Sequence, residues 1–442
     1  MKASTILTIA ASLLATTAPA DDFAQLRDRN WHRWRGPAAD GVAPHANPPI
    51  TWDETTHVKW KVRIPGSGNS SPIVWQDRVF VSTAVETDRP AKPLPRPDVE
   101  PPGGYLTKPP AHYYRFVVLC LDRTTGRVRW QRVATEAVPH EGHHRDHGYA
   151  SASPTTDGRF VYASFGSRGI YCYDLEGNLV WQRDLGDMIT RFGWGEGASP
   201  VIDGDSLAVN WDHEGPSFLE VLDARTGESR WKVDRDEATS WSTPVVVHRR
   251  GTRQLIVSAS RRVVAYDLDT GEILWECGGQ TVNVIPSPVV ADGVVYCMSG
   301  FKGGALYALP LDASGDLTGS DRIIWHRDRG TPYVPSPLLY DDWLYFTRSN
   351  NAILTCLDAK TGKPLIEGER IPGLQTLYAS PVGAAGRVYF VGRDGTTVVL
   401  RHGAPLEVLA TNRLDDPIDA SPALVDGEVF LRGKSFLYCL GE

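Results

Sequence analysis

A Ser/Thr-Pro pair recurs eight times along this chain, opening at Ser71, Ser153, Ser199, Thr243, Ser287, Ser336, Ser380 and Ser421. The successive spacings are 82, 46, 44, 44, 49, 44 and 41 residues. A steady period of this length marks a repeat architecture whose units cannot bury both faces alone and must stack on their neighbours. The first interval is long because of an insertion over residues 85–113.

Each unit reads as four short strands. Ser-Pro opens an apolar strand, where proline is tolerated because it need not donate to a ladder. A turn with Asp or Gly follows, as at Asp157-Gly158 and Asp426-Gly427. A second strand is rich in Val, Tyr and Phe, and a third ends in Asp. A turn then closes on glycine, as at Asp223–Gly227, Asp267–Gly271 and Asp358–Gly362. Glycine supplies the positive φ of such a turn, and Asp can bond its backbone. The fourth strand places Trp130, Trp181, Trp231 and Trp275 four residues after that glycine. The fifth unit has a longer turn over 312–319, the sixth has Ile366 in the tryptophan position, and the seventh has no tryptophan there. Four antiparallel strands at a period near 44 predict an all-β, eight-bladed β-propeller.

The last unit, residues 420–442, holds only three strands before the chain stops. Its missing outer strand is predicted at residues 57–64 (HVKWKVRI), which carry Trp60. Joining the two ends closes the ring and removes two exposed edges. The expected organisation is a signal peptide over 1–20, an N-terminal segment over 21–56 packing on the propeller, and the propeller over 57–442.

Residues 1–20 combine Lys2, an apolar run over 6–14 and Ala18-Pro19-Ala20, the pattern of a secretory leader cleaved after Ala20. The apolar run is too short to span a bilayer. The expected location is therefore periplasmic or extracellular. The net charge of −7 and the lack of a basic stripe argue against a nucleic-acid partner. Of the six cysteines, Cys120, Cys172, Cys356 and Cys439 share one repeat position, which Ala265 and Ala308 fill elsewhere. They read as small buried strand residues, and a Cys277–Cys297 pair is left open.

The strand order places the inter-blade links and the loops between second and third strands on one face. The unusual sequences gather there, and loops on a rigid scaffold are where binding is sought. His140, His143, His144 and His147, with Glu141 and Asp146 among them, could hold zinc or another divalent metal. Asp212, His213 and Glu214 could add ligands, and a solvated polar loop is the other reading. The metal candidates are His143, His144, His147, Asp212, His213 and Glu214. Glu196, Asp212, Glu214, Asp416 and Asp419 could supply a carboxylate pair for glycoside chemistry. Tyr149, Trp194, Trp241, Tyr333 and Tyr378 each precede a Ser/Thr-Pro pair. They could stack on a planar cofactor or a sugar, or simply pack between loops. The Pro-rich insertion could act as a flap, a docking segment or a plain surface loop.

The units resemble pyrroloquinoline quinone (PQQ)-type propeller repeats across essentially the whole mature chain. Residues 31–42 (WHRWRGPAADGV) are similar to the opening of a group of exported bacterial PQQ-like repeat proteins. The resemblance implies two kinds of function. One is a binding or scaffolding module, similar in architecture to the propeller lipoprotein of outer-membrane barrel assembly, with a protein or small-molecule partner. The lipid-attachment cysteine of that lipoprotein is missing here. The other is a PQQ-dependent oxidoreductase, or less directly a metal-assisted or carbohydrate-processing enzyme. PQQ-dependent alcohol dehydrogenases use adjacent cysteines and a calcium ion; this chain has no Cys-Cys and no Cys-x-x-Cys-His for haem. Glu196 and Asn283 are the residues available for calcium. The cofactor-binding candidates are thus Tyr149, Trp194, Glu196, Trp241, Asn283, Tyr333 and Tyr378. A monomer without a membrane span is expected.

Overall fold

The computed structural model describes residues 20–92 and 99–442. The leader expected over residues 1–20 lies, but for Ala20, outside the described residues. Among the described residues eight sheets are formed, seven of four antiparallel strands and one that adds a short parallel fifth strand. Each Ser/Thr-Pro pair opens the innermost strand of a blade, and innermost strands touch between blades 2, 3 and 4 and from blade 5 through blade 8 to blade 1. The chain is an eight-bladed β-propeller.

Blade 8 combines Ala423–Val425, Glu428–Arg432 and Phe436–Gly441 with the outer strand Val58–Arg63. Trp60 pairs with Cys439 and Val62 with Leu437 in antiparallel register. Lys59 and Arg123 both reach Glu428, at 2.7 and 2.6 Å, so blade 1 is tied to the same seam.

The Asp-x-x-Thr-Gly turns and the fourth-strand tryptophans form one joint. The indole N–H of Trp130 in blade 1 donates to the Leu175 carbonyl in blade 2, at 2.9 Å. Trp181 donates to Ala224, Trp231 to Leu268 and Trp325 to Ala359 in the same way. Trp60 donates to Arg123 and carries the joint across the seam. The turn glycine of the receiving blade lies flat on that indole: a Cβ on Gly177 would come within 2.7 Å of the Trp130 ring. Glycine is needed there twice over, for φ +83° and for contact. Blade 5 has no such turn. Trp275 of blade 4 instead donates to Gln254, and the long turn of blade 5 lays Gly315–Asp316 parallel to Trp275 and Glu276 as a fifth strand.

The Ser/Thr-Pro motif also has a physical reason. The Ser71 N–H donates to Ser153 Oγ, Ser153 to Ser199, and Ser199 to Thr243. Ser287 donates to Ser336, Ser336 to Ser380, Ser380 to Ser421, and Ser421 back to Ser71. These bonds of 2.9–3.0 Å satisfy backbone donors that line the axis and have no strand beside them. At the link between Thr243 and Ser287, the indole N–H of Trp34 donates to Ser287 Oγ, at 2.9 Å.

Trp34 belongs to the N-terminal segment, which crosses the turn-bearing face. Trp31 bridges to Val74 of blade 1, and the His32 carbonyl accepts the Thr156 N–H of blade 2. Arg35 is buried and donates to the Pro337 and Pro381 carbonyls of blades 6 and 7, both at 2.6 Å. The segment then follows blades 7 and 8, where the Trp52 backbone N–H donates to Asn412 Oδ1, and enters the outer strand. All six cysteines are free thiols buried in the blades, so Cys277 and Cys297 are not joined. Among the described residues, no helix is long and apolar enough to cross a membrane.

Candidate functional site: a blind cup on the propeller axis

Because the N-terminal segment covers one end, the axial channel is a cup. Its volume is about 380 Å³, within the usual range of small-molecule sites, about 300–1,000 Å³. Trp34 forms the floor, and all eight Ser/Thr residues of the repeat line the wall. Seven of their hydroxyl oxygens accept a backbone N–H and the eighth, on Ser287, accepts the Trp34 indole N–H. Each hydroxyl keeps its own proton to donate.

The mouth has two unlike halves. On the side of blades 3 to 6, Trp194, Trp241, Phe301 and Tyr333 form an aromatic arc. Trp194 lies 6.5 Å from Trp241 and 6.1 Å from Phe301, and Phe301 lies 5.0 Å from Tyr333. Trp241 is fixed by its indole N–H, which donates to the Gly195 carbonyl at 2.6 Å. On the other side, the link over 139–149 reaches across the mouth. Asp146 on this link accepts from Arg393 of blade 7 at 2.9 Å and from the Tyr378 hydroxyl at 3.2 Å. Arg393 also grips Asp419 through Nε and Nη2, at 2.7 and 3.2 Å, and its guanidinium stacks 3.9 Å from the Tyr378 ring. Arg393 thereby holds Asp146 below the usual carboxylate range against the opposing effect of burial.

Trp194, Trp241, Tyr333 and Tyr378 therefore meet at one mouth. Tyr149 does not: it packs against Tyr114 and His143 and lines a smaller neighbouring cavity. Glu196 lines that cavity too, where both of its oxygens are engaged by Ser167. Asn283 is buried in a left-handed conformation, φ 58°, and lines neither cavity. The residues available for calcium thus stand apart, the six thiols are buried in the blades, and Arg393 is already shared by two aspartates. These residues do not fit a calcium-bound, polyanionic quinone.

The metal candidates do not gather either. Among the described residues, no group of three or more His, Cys, Asp or Glu could hold a metal ion. Asp212 is the buried partner of Arg235, at 2.7 Å, and also accepts from Ser240. His213 accepts the Ile189 N–H on Nδ1 and faces the Pro216 carbonyl with Nε2, so both ring nitrogens are occupied by backbone. Glu214 accepts the Thr239 hydroxyl at 2.9 Å. His143 turns Nδ1 to the His144 carbonyl, and His144 stacks edge-on to Trp194. His147 pairs Nδ1 with Ser151 at 2.6 Å, lines the cup, and is kept neutral because burial pushes its imidazole down to about 3.

The carboxylates named for glycoside chemistry are likewise engaged one by one. Asp416, for example, accepts the Ser435 and Phe436 N–H groups. A different pair converges on a histidine. Glu196 and Glu141 approach His140 Nε2 at 3.5 and 4.0 Å in the smaller cavity. Burial pushes the Glu141 carboxyl up to about 8, against the pull of the Thr190 hydroxyl and aided by Glu196. The Thr190 hydroxyl and N–H both bond Glu141, and the knot ties the 139–149 link to the Arg191–Gly193 turn. The insertion covers this region: the Leu106 N–H donates to the Phe192 carbonyl and the Thr107 hydroxyl to Gly193.

Phe301, Asp146 and Arg393 were not predicted at the mouth as a group. Phe301 and Arg393 lie in loops between second and third strands, away from any Ser/Thr-Pro mark, and Asp146 lies 247 positions from Arg393.

No curated protein matches the sequence. The structure is similar to BamB from Moraxella catarrhalis, with 13% identity, a TM-score of 0.56, and coverage of 87% of this chain and 96% of that one. It is also similar to the quinohemoprotein alcohol dehydrogenase of Comamonas testosteroni, with 11% identity, a TM-score of 0.65, and coverage of 96% and 82%. A second such enzyme, ADHIIG of Pseudomonas putida HK5, gives 11% identity, a TM-score of 0.61 and coverage of 98% and 83%. At these identities the likeness concerns the fold. A family model described as outer membrane protein assembly factor BamB matches residues 115–367. The chain belongs to that family of PQQ-type repeat propellers.

Proposed function

We propose that this protein is an exported binding propeller that takes its ligand, or a projecting group of a partner, into the cup at its loop-rich mouth. The observation that carries this reading is the blind channel: one end is covered by Trp34 and Arg35, and the other opens between an aromatic and a polar wall. A cup of this form captures a ligand and needs no assembled reaction centre to do so. The leader pattern supports a periplasmic or extracellular location, and the protein is expected to act as a monomer. A partner protein is a reasonable client, since the family description names an outer membrane protein assembly factor, BamB, and the Moraxella structure is a BamB. A quinoprotein reading is not favoured by the donors at the mouth.

The test is a thermal-shift screen of uncharged, cationic and anionic small molecules, run in parallel on wild type and on Ser199→Phe, which fills the wall. Stabilisation of wild type alone supports the cup. Hits that stabilise both proteins equally, or a partner that binds both equally, would move the function elsewhere. Export is checked by N-terminal sequencing of protein recovered outside the cytoplasm, which should begin at Asp21.

A further inference from the structure

Resting on that reading, we infer that the cup takes a neutral, polyhydroxylated ring: the ligand is a small saccharide or the terminal sugar of a glycan. The two halves of the mouth are matched to the two kinds of surface on such a ring. A pyranose presents an apolar C–H face, which is drawn to the electron-rich face of an aromatic side chain, and an edge of hydroxyls that both donate and accept. Trp194, Phe301 and Tyr333 offer the first surface. Asp146 and Asp419 offer acceptors opposite, and the serine ring below offers hydroxyls whose oxygens are already committed to backbone N–H groups.

Charge narrows the choice. Asp146 and Asp419 are already paired, both with Arg393 and, at 3.8 Å, with Arg145 and Lys434 respectively, so a polyanion would have to draw these cations away from their carboxylates. An organic cation would find the aromatic arc, but both aspartates are held by Arg393, whose own charge lies over Tyr378. A neutral ligand keeps these pairs intact and uses the carboxylate lone pairs that Arg393 leaves open. The floor adds a length rule. Because Trp34 closes the channel, only the end of a chain enters, and further sugar units gain no contact inside the cup.

The experiment is a titration of the full mature chain, followed by tryptophan fluorescence and by calorimetry. The probes are glucose, maltose, maltoheptaose, cellobiose and N,N′-diacetylchitobiose, with choline and PQQ as charged controls. Saturable binding of at least one saccharide is expected, with no binding of either control. Phe301→Ala should weaken it about tenfold, the value of one lost stacking contact, while its melting temperature stays within that of Phe301→Trp. Equal affinity for maltose and maltoheptaose would identify a chain end, and loss of affinity for the longer one a free sugar; both outcomes support the inference. Saturable binding of choline or PQQ, with no saccharide bound, overturns the saccharide while leaving the cup as the site. No saturable binding of any saccharide overturns the inference, and thermal-shift hits unaffected by Ser199→Phe overturn the cup as well.

Discussion

Replacing Gly126 by alanine tests whether the repeated turn glycine is an inter-blade contact or merely a turn residue. Gly126 sits at φ +71°, and a Cβ there would come within 2.7 Å of the Trp60 ring. Gly386 sits at φ +70°, with nothing within 4 Å of a Cβ. Gly386→Ala therefore carries only the left-handed penalty, about 1–2 kcal/mol, less what alanine recovers by restricting the unfolded chain. Gly126→Ala carries the same terms plus the overlap with a rigid indole, which adds about 1–3 kcal/mol. The two proteins are compared by urea unfolding followed by circular dichroism. Gly126→Ala should be the less stable by that second amount. In a Trp60→Ala background the extra penalty should vanish, since the clashing ring is gone. Equal losses for the two glycines in the wild-type background would refute the joint.

Three other outcomes follow from the structure. Deleting residues through Ile64 should lower the melting temperature of the whole ring, because blade 8 loses its outer strand and the Trp60 joint; an unchanged melting curve by calorimetry would contradict ring closure. Asp212→Asn leaves Arg235 buried beside an uncharged partner and should cost about 3–5 kcal/mol, whereas Asp212→Leu combined with Arg235→Met should recover most of it, both measured by urea unfolding. Burial raises the carboxyls of Glu141 and Glu237 to about 8 and about 7. The folded chain then holds protons that the unfolded chain releases, so their stabilisation is full below about 4.3, the free Glu value, and fades as pH rises through those values. Stability measured across this window should fall less steeply in Glu141→Gln.

The blades were legible because each repeat residue has a local duty that recurs: Ser-Pro at the axis, Asp and Gly in the turn, Trp on the next turn's glycine. The seam was legible by the same rule, from an unfinished unit and a spare Trp60. Trp194, Trp241, Tyr333 and Tyr378 could be found because they sit just before Ser/Thr-Pro pairs; Tyr149 carries the same mark but is drawn aside by Tyr114 and His143. The misplaced residues were decided by contacts that sequence spacing does not encode. Asp212 is claimed by Arg235 from the same sheet, and His213 by the backbone of Ile189, so neither is free to bind metal. Asp146 belongs to Arg393 only because a link from blade 1 crosses the mouth to blade 7. The floor of the cup depends on Trp34, whose partner Ser287 lies 253 positions away.

The central claim, a channel covered at the turn face and open at the loop-rich face, is tested most directly by thiol labelling. All six native cysteines are buried, so the wild-type protein should not react with N-ethylmaleimide under native conditions. Ser199→Cys places one thiol on the cup wall. It should react with N-ethylmaleimide to one equivalent, while a bulky polyethylene-glycol maleimide reacts far more slowly. No labelling of Ser199→Cys by the small reagent, or equally fast labelling by both reagents, would contradict a narrow cup open to solvent at its mouth.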